Sequence, residues 1–287
     1  MEFQQALVVG AGTMGSGIAE VLARGGLQVV VTDTRPEALE RARQQLTHSL
    51  DRALSKGRLS SEERLAVEQR VGWGAEPEQV DLVIEAVVEN LSVKTELLGR
   101  LANRYPQAML ASNTSSLSLT EMAARCAGPE RVVGLHFFNP APVMELLEVV
   151  RAEQTSPTTL ESALQLARRL GKTPIVVGDV AGFATSRLGI LLGMEAIRMV
   201  ESGVASVGDV DRAMELGYRH PMGPLKLTDL VGLDVRLAIA EHLTQELGSQ
   251  FAPPPLLRRL VRAGYLGKKT GRGFYRWNGQ QAEEITP

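Results

Sequence analysis

One cysteine in 287 residues, Cys126, excludes an internal disulfide framework and suits a reducing compartment. Long apolar runs are missing too. No uninterrupted hydrophobic stretch approaches the ~20 residues that cross a bilayer, so no membrane association is expected. Nor is there an excess of charge of either sign. With 31 basic and 33 acidic residues the net charge is −2, which gives no reason to expect a nucleic-acid partner. The first five residues, MEFQQ, run straight into a strand-like segment and leave no room for a signal or transit peptide, so a cytoplasmic protein is expected. Histidine is scarce as well: there are four, and no metal site is expected. What remains is a chain long enough for two domains with substantial cores.

The apolar run 6–10 is followed at once by GAGTMG, a G-x-G-x-x-G pattern on Gly10, Gly12 and Gly15 that opens a helix-like segment. The glycines give a tight turn, room for a pyrophosphate beside backbone, and close helix–strand contact. Thr13 and Met14 fall in the same phosphate-facing turn, where a helix N-terminus offers free N–H groups. A second strand, 28–32, ends at Asp33, near the spacing expected for a carboxylate on the adenosine ribose hydroxyls. That acid favours NAD over NADP, because it would repel a 2′-phosphate.

Residues 36–70 read as two helices broken at Lys56-Gly57, an insertion longer than a βαβ crossover needs. The second starts at Ser60, whose Glu63 completes an S-x-x-E capping box. Residues 81–88 form a near-continuous apolar strand running into Glu89, which fits a parallel strand covered on both faces. Strand 108–112 then brings the SNTSS loop to the same sheet edge, where doubly wound folds bind ligands. A helix at 156–170 and a strand at 174–177 close this part. Beyond Gly182 the pattern is helical, at 184–202, 207–216, 225–247 and 255–263, with weak order expected from Asn278. The fold class is therefore α/β: an N-terminal Rossmann-like doubly wound sheet, residues 1–180, with a helical-hairpin insertion near 36–70. An all-helical C-terminal domain, 181–287, follows it.

The chemistry concentrates in 112–150. His136 is the one histidine inside a strand-like apolar run, which stops at Asn139-Pro140. Pro140 and Pro142 force a turn, and a second apolar run carries Glu148 twelve residues on. If the chain reverses there, the carboxylate returns to the imidazole and fixes its tautomer, making His136 a general-base candidate. A half-buried strand histidine with a structural partner is the other reading.

SNTSS followed by GLHFFNPAPVMELLEV resembles the catalytic segment of the L-3-hydroxyacyl-CoA dehydrogenase family, which includes 3-hydroxybutyryl-CoA dehydrogenases. The likeness covers nearly the whole chain, through the C-terminal GYLGKKTGRGFYRW. It implies an NAD-dependent enzyme interconverting (3S)-3-hydroxyacyl-CoA and 3-ketoacyl-CoA. His136 is then the acid/base, Glu148 its partner, and Ser115 and Asn139 the groups holding the reacting oxygen and the nicotinamide region. Glu89, Lys94 and Lys269 match cofactor-lining positions. Without the resemblance, Glu89 and Lys94 are a strand-end acid and a helix-surface lysine. Ser49 and Lys56 match CoA-contacting positions, with a solvated basic helix face as the alternative. The family's G-F-x-x-N-R reads Gly182-Phe183-Ala184-Thr185-Ser186-Arg187 here, so Ser186 stands where an asparagine usually meets the substrate. The resemblance also implies a homodimer built through the helical domain. Two other readings share the pattern: a dehydrogenase of a non-CoA hydroxy acid, like L-gulonate 3-dehydrogenase, and a non-catalytic NAD-binding protein, like the related lens crystallins.

Overall fold

The computed structural model describes residues 3–285, and the chain divides into two compact units, the first ending at Phe183 and the second starting at Ala184. The first unit holds β1 (Gln5–Val9), α1 (Thr13–Arg24), β2 (Gln28–Thr32), α2 (Pro36–Ser55), α3 (Ser61–Gln69) and β3 (Val71–Trp73). It continues through β4 (Leu82–Glu85), α4 (Leu91–Arg104), β5 (Met109–Ser112), α5 (Leu119–Ala123), β6 (Val132–Phe137), β7 (Leu146–Arg151), α6 (Pro157–Arg169) and β8 (Thr173–Gly178). Eight strands form one sheet in the order β3-β2-β1-β4-β5-β6-β7-β8. The pairs from β3 to β6 are parallel, β7 runs antiparallel to β6, and β8 is parallel to β7.

Period-two alternation explains why this sheet is covered on both faces. In β1, Ala6 and Val8 join one apolar cluster with Ile18, Leu22 and Leu46, while Leu7 and Val9 join another with Leu98, Leu101 and Leu110. Strands β4, β5 and β6 are buried at every position. Each fully buried leucine or isoleucine contributes about 1.5–3 kcal/mol before chain entropy is counted. The α2–α3 insertion forms as its sequence suggests. Ser60 Oγ accepts the Glu63 N–H at 3.1 Å while a Glu63 carboxylate oxygen accepts the Ser60 N–H at 2.7 Å, so the capping box is complete. Strand β3, only three residues long, is an element the sequence pattern did not reveal.

The second unit contains α7 (Thr185–Glu201), α8 (Val207–Arg212), α9 (Pro224–Val231), α10 (Leu233–Leu247), α11 (Pro255–Arg262) and a hairpin of β9 (Tyr275–Asn278) with β10 (Gln281–Glu284). Three expectations are corrected here. The helix expected over 225–247 is two, because Gly232 takes φ 104° and ends α9 before α10 starts. The helix expected over 207–216 leaves the α form after Arg212 and finishes as a π turn, Ala213–Gly217. The segment after Asn278 is ordered as β10, paired residue by residue with β9. No helix among the described residues is long and apolar enough to cross a membrane.

Candidate active site

The parallel strands deliver their C-terminal ends to one edge of the sheet, and a cavity of about 600 Å³ lies there. Its walls include Gly10, Gly12, Thr13, Met14 and Asp33. Gly10 adopts φ 109°, and a Cβ on it would stand 2.5 Å from the Ala86 carbonyl oxygen. A Cβ on Gly15 would fall 1.8 Å from the Gly10 oxygen, so helix and turn could not approach. At Gly12 a Cβ would meet nothing within 4 Å, which leaves the backbone open toward the cavity. Helix α1 has no side-chain cap and no acid in its first turn, so its free N–H groups are left for an anion. These features fit a dinucleotide pyrophosphate. Asp33 accepts the Ala11 N–H at 2.9 Å and the Arg35 N–H at 3.0 Å. Burial pushes its pKa up, but those two N–H groups and the Arg35 guanidinium outweigh it and hold the carboxyl below the ordinary value.

Beside the cavity a charge cluster, buried at Glu85 and Lys94 and open to solvent at Glu89, builds the loop that carries Ser115. Glu85, the last residue of β4, is 0% exposed and takes the Lys94 ammonium at 2.6 Å, the Val87 N–H at 2.7 Å and the Ser112 hydroxyl at 2.6 Å. Lys94 also meets Glu89 at 3.2 Å and donates to the Val87 carbonyl at 3.3 Å. Glu89 Oε1 in turn accepts the Thr114 hydroxyl at 2.7 Å, the Ser115 N–H at 2.8 Å and the Ser115 hydroxyl at 3.1 Å. Burial raises the Glu89 pKa, yet Lys94 and the donors from Thr114 and Ser115 bring it below the ordinary carboxylate value. Lys94 is therefore not the helix-surface lysine that pattern alone suggested. It is 1% exposed, because two carboxylates and a carbonyl enclose it.

Asn113 joins this loop to the histidine strand: its N–H donates to the Glu85 carbonyl, and its Oδ1 accepts the Phe137 N–H at 2.9 Å. Strands β6 and β7 reverse as the two prolines suggested, and His136 stands opposite Glu148 in their register. The imidazole Nδ1 lies 2.7 Å from Glu148 Oε2, with Glu148 0% and His136 7% exposed. The carboxylate accepts, so Nδ1 carries the proton and Nε2 the lone pair. The rings of Phe138 and Phe183 pack on the imidazole at centroid distances of 4.6 and 5.7 Å. Phe183 holds φ 47°, unusual for an aromatic residue, directly after Gly182 at φ 77°.

Asn139 is exposed at the start of the connecting turn, where its peptide bond to Pro140 is cis. Lys172 fastens that turn, donating to the carbonyls of Ala141 and Met144, both at 2.7 Å. Its pKa is lowered, first by burial and then by Arg24.

The other expected residues make no hydrogen bond or ion pair with this group among the described contacts. Ser49 is half-buried on α2 and Lys56 is exposed at its C-terminal cap. In the second unit, Ser186 is half-buried in the first turn of α7, and Lys269 makes a two-pronged ion pair with Asp234 at 2.6 and 2.7 Å. Sequence reasoning missed Glu85, Ser112, Asn113 and Lys172. For Glu85 a signal existed: a carboxylate inside an unbroken buried strand must be paired.

Residues 5–180 match the model of the 3-hydroxyacyl-CoA dehydrogenase NAD-binding domain, and residues 182–277 match the C-terminal domain of the same family. The chain belongs to the 3-hydroxyacyl-CoA dehydrogenase family. It is 46% identical over 280 residues to a probable 3-hydroxybutyryl-CoA dehydrogenase of Bacillus subtilis, covering 96% of this chain and 98% of the relative. Among solved structures it resembles FadB2 of M. tuberculosis, with 44% identity and a TM-score of 0.92 over 97% of this chain and 100% of that one. It also resembles (S)-3-hydroxybutyryl-CoA dehydrogenase PaaH1 from Ralstonia eutropha, with 39% identity and a TM-score of 0.91 over 96% and 100% of the two chains. This family membership agrees with the cofactor expected from the glycine turn and Asp33.

Proposed function

We propose that the protein is an NAD-dependent dehydrogenase interconverting (3S)-3-hydroxyacyl-CoA and 3-ketoacyl-CoA, with 3-hydroxybutyryl-CoA as its type substrate. The observation that carries this reading is the His136–Glu148 pair at 2.7 Å, on the same sheet as the glycine turn and tied through Asn113 to the Ser115 loop. NAD, when bound, supplies the acceptor for the hydride leaving C3 of the substrate. His136 takes the hydroxyl proton on Nε2 during oxidation and returns it during ketone reduction. Glu148 keeps the ring oriented and offsets the charge of the imidazolium. Ser115, held by Glu89, and Asn139 fix the reacting oxygen and the nicotinamide region. Glu89 and Lys94 shape that end of the site, and Lys269 is assigned a cofactor-binding role by its match to the family.

Ser49 and Lys56 on the helical insertion take the coenzyme A portion, and Ser186 contacts the acyl end. The helical unit supplies apolar residues for the acyl chain. It also carries the homodimer contact: Leu188 and Leu191 on α7, Leu227, Leu230 and Val231 on α9, and Val235 on α10 are all exposed. The protein works in the cytoplasm, where its one thiol, Cys126, is inert because burial pushes its pKa up to about 11.

Initial rates with acetoacetyl-CoA and longer 3-ketoacyl-CoA substrates, each with NADH, test the assignment. Turnover of the four-carbon substrate is expected. Oxidation of L-gulonate without turnover of any CoA ester would move the protein to the non-CoA class, and NADH binding without turnover of either would make it non-catalytic. Light scattering at micromolar concentration tests the dimer, and a monomer there refutes it.

A further inference from the structure

A second charged group at the cofactor cavity lies outside the catalytic machinery. Strand β3 pairs with β2 in parallel, Trp73 opposite Val31, and Gly74 extends the ladder by donating to the Val31 carbonyl at 3.0 Å. Glu76, just beyond, and Asp33, at the end of β2, therefore leave the same sheet edge from neighbouring strands, and both line the cavity. Across it, Val93, Leu97 and Arg100 of α4 form one lining face at spacings of four and three. The Arg100 guanidinium is bound by both oxygens of Glu76, at 2.7 and 3.1 Å. The lining includes two guanidinium groups, Arg35 and Arg100, and two carboxylates, Asp33 and Glu76. Arg35 reaches Asp33 at 3.4 Å, a single long contact, whereas Arg100 is fully forked.

A 2′-phosphate would bring nearly two negative charges to the adenosine end and would need a free guanidinium. We infer that Glu76 discriminates between the two nicotinamide cofactors: by chelating Arg100 it withholds that guanidinium from a 2′-phosphate and places a second carboxylate beside Asp33. Cofactor choice is then set by two acids from two adjacent strand ends, and the second works by occupying a cation. The inference rests on reading this cavity as the dinucleotide site.

The test is equilibrium binding of NADH and NADPH, followed by nicotinamide fluorescence, to the wild-type chain and to Glu76→Gln, Arg100→Gln and the double variant. Melting temperatures are recorded for each. Because the pair is partly exposed, with Arg100 52% and Glu76 23% open to solvent, the effect is modest. Glu76→Gln is expected to improve the NADPH-to-NADH affinity ratio about fivefold, and adding Arg100→Gln is expected to abolish that gain. The inference is overturned if the ratio does not move in Glu76→Gln, or if the gain persists in the double variant. It is also overturned if both affinities fall together with the melting temperature, the pattern of a purely structural clamp. Wild-type protein that binds neither nucleotide would overturn the dinucleotide reading of the cavity and the inference with it.

Discussion

His136 and Glu148 face one another across an antiparallel strand pair, with the imidazole Nδ1 2.7 Å from a carboxylate oxygen that is wholly buried. Both side chains start from fixed positions of a paired ladder, so the contact is set by backbone register and not by a flexible loop. His136→Gln should therefore lower turnover by ~10²–10⁴-fold while NADH still binds. Glu148→Gln should lower kcat at least about tenfold, because a neutral amide no longer offsets the imidazolium. Steady-state kinetics and NADH titration check both. A His136→Gln protein keeping more than about a tenth of the wild-type rate removes the acid/base assignment.

Among the described residues, Lys94 is the only cation bonded to Glu85, which is 0% exposed. Lys94→Met should destabilise the protein by about 3–5 kcal/mol, the cost of leaving a buried carboxylate unpaired. Glu85→Gln added to Lys94→Met should recover most of that loss, because the uncompensated charge is gone. Urea unfolding of the single and double variants measures it. Equal stability of the two would show that the charge is not what matters.

Glu89 supplies a pH dependence whose sign follows from its bonds. Its folded pKa lies below the ordinary 4.5, held there against burial by Lys94, Thr114 and Ser115. Above about pH 4.5 its contribution to stability is fully present, and it is lost as pH falls through the lowered folded value. Acid unfolding monitored by circular dichroism should be less steep in this window for Glu89→Gln. An unchanged acid limb would mean that Glu89 is not held ionised by these partners.

Asp229, 1% exposed, accepts the N–H groups of Phe274 and Tyr275 and the Trp277 indole N–H, at 2.9, 2.9 and 2.8 Å. The backbone must come close for this: a Cβ on Gly267 or Gly273 would stand 2.3 or 2.1 Å from Asp229 atoms. The glycine-rich C-terminal signature thus folds around a carboxylate. Asp229→Ala should cost on the order of 3 kcal/mol by stranding several buried donors. Thermal unfolding is the measurement, and a loss below about 1 kcal/mol would refute the anchoring role.

Ser186 departs from the family's asparagine, and it sits in the first turn of α7. Ser186→Asn is expected to change kcat with short-chain substrates by a factor of roughly two to ten, and to change the KM for NADH less. A hydrogen bond to the reacting oxygen strengthens as charge develops there, so a different donor acts mainly on the transition state, by ~0.5–1.5 kcal/mol. A lower melting temperature with unchanged kcat would show instead that Ser186 faces protein and that the larger amide crowds it.

Much of this protein was settled by local sequence. The glycine turn, the Ser60 capping box and the unbroken apolar run of β4, buried at every position, each depend on residues a few positions apart, and each formed as read. The reversal that returns Glu148 to His136 was legible because two prolines lie between two apolar runs. Tertiary structure alone decided the rest. Glu85, Lys94, Glu89 and Ser115 come together because β4 ends, α4 starts and the loop after β5 begins at one sheet edge, across separations of up to 30 residues that no periodicity encodes. Gly232 could have continued a helix, but in the structure it takes φ 104° and splits the segment. The hairpin strand β10 is polar and nearly silent in sequence. Its order comes from backbone hydrogen bonds to β9, whose start is itself fixed by Asp229 from 46 residues away.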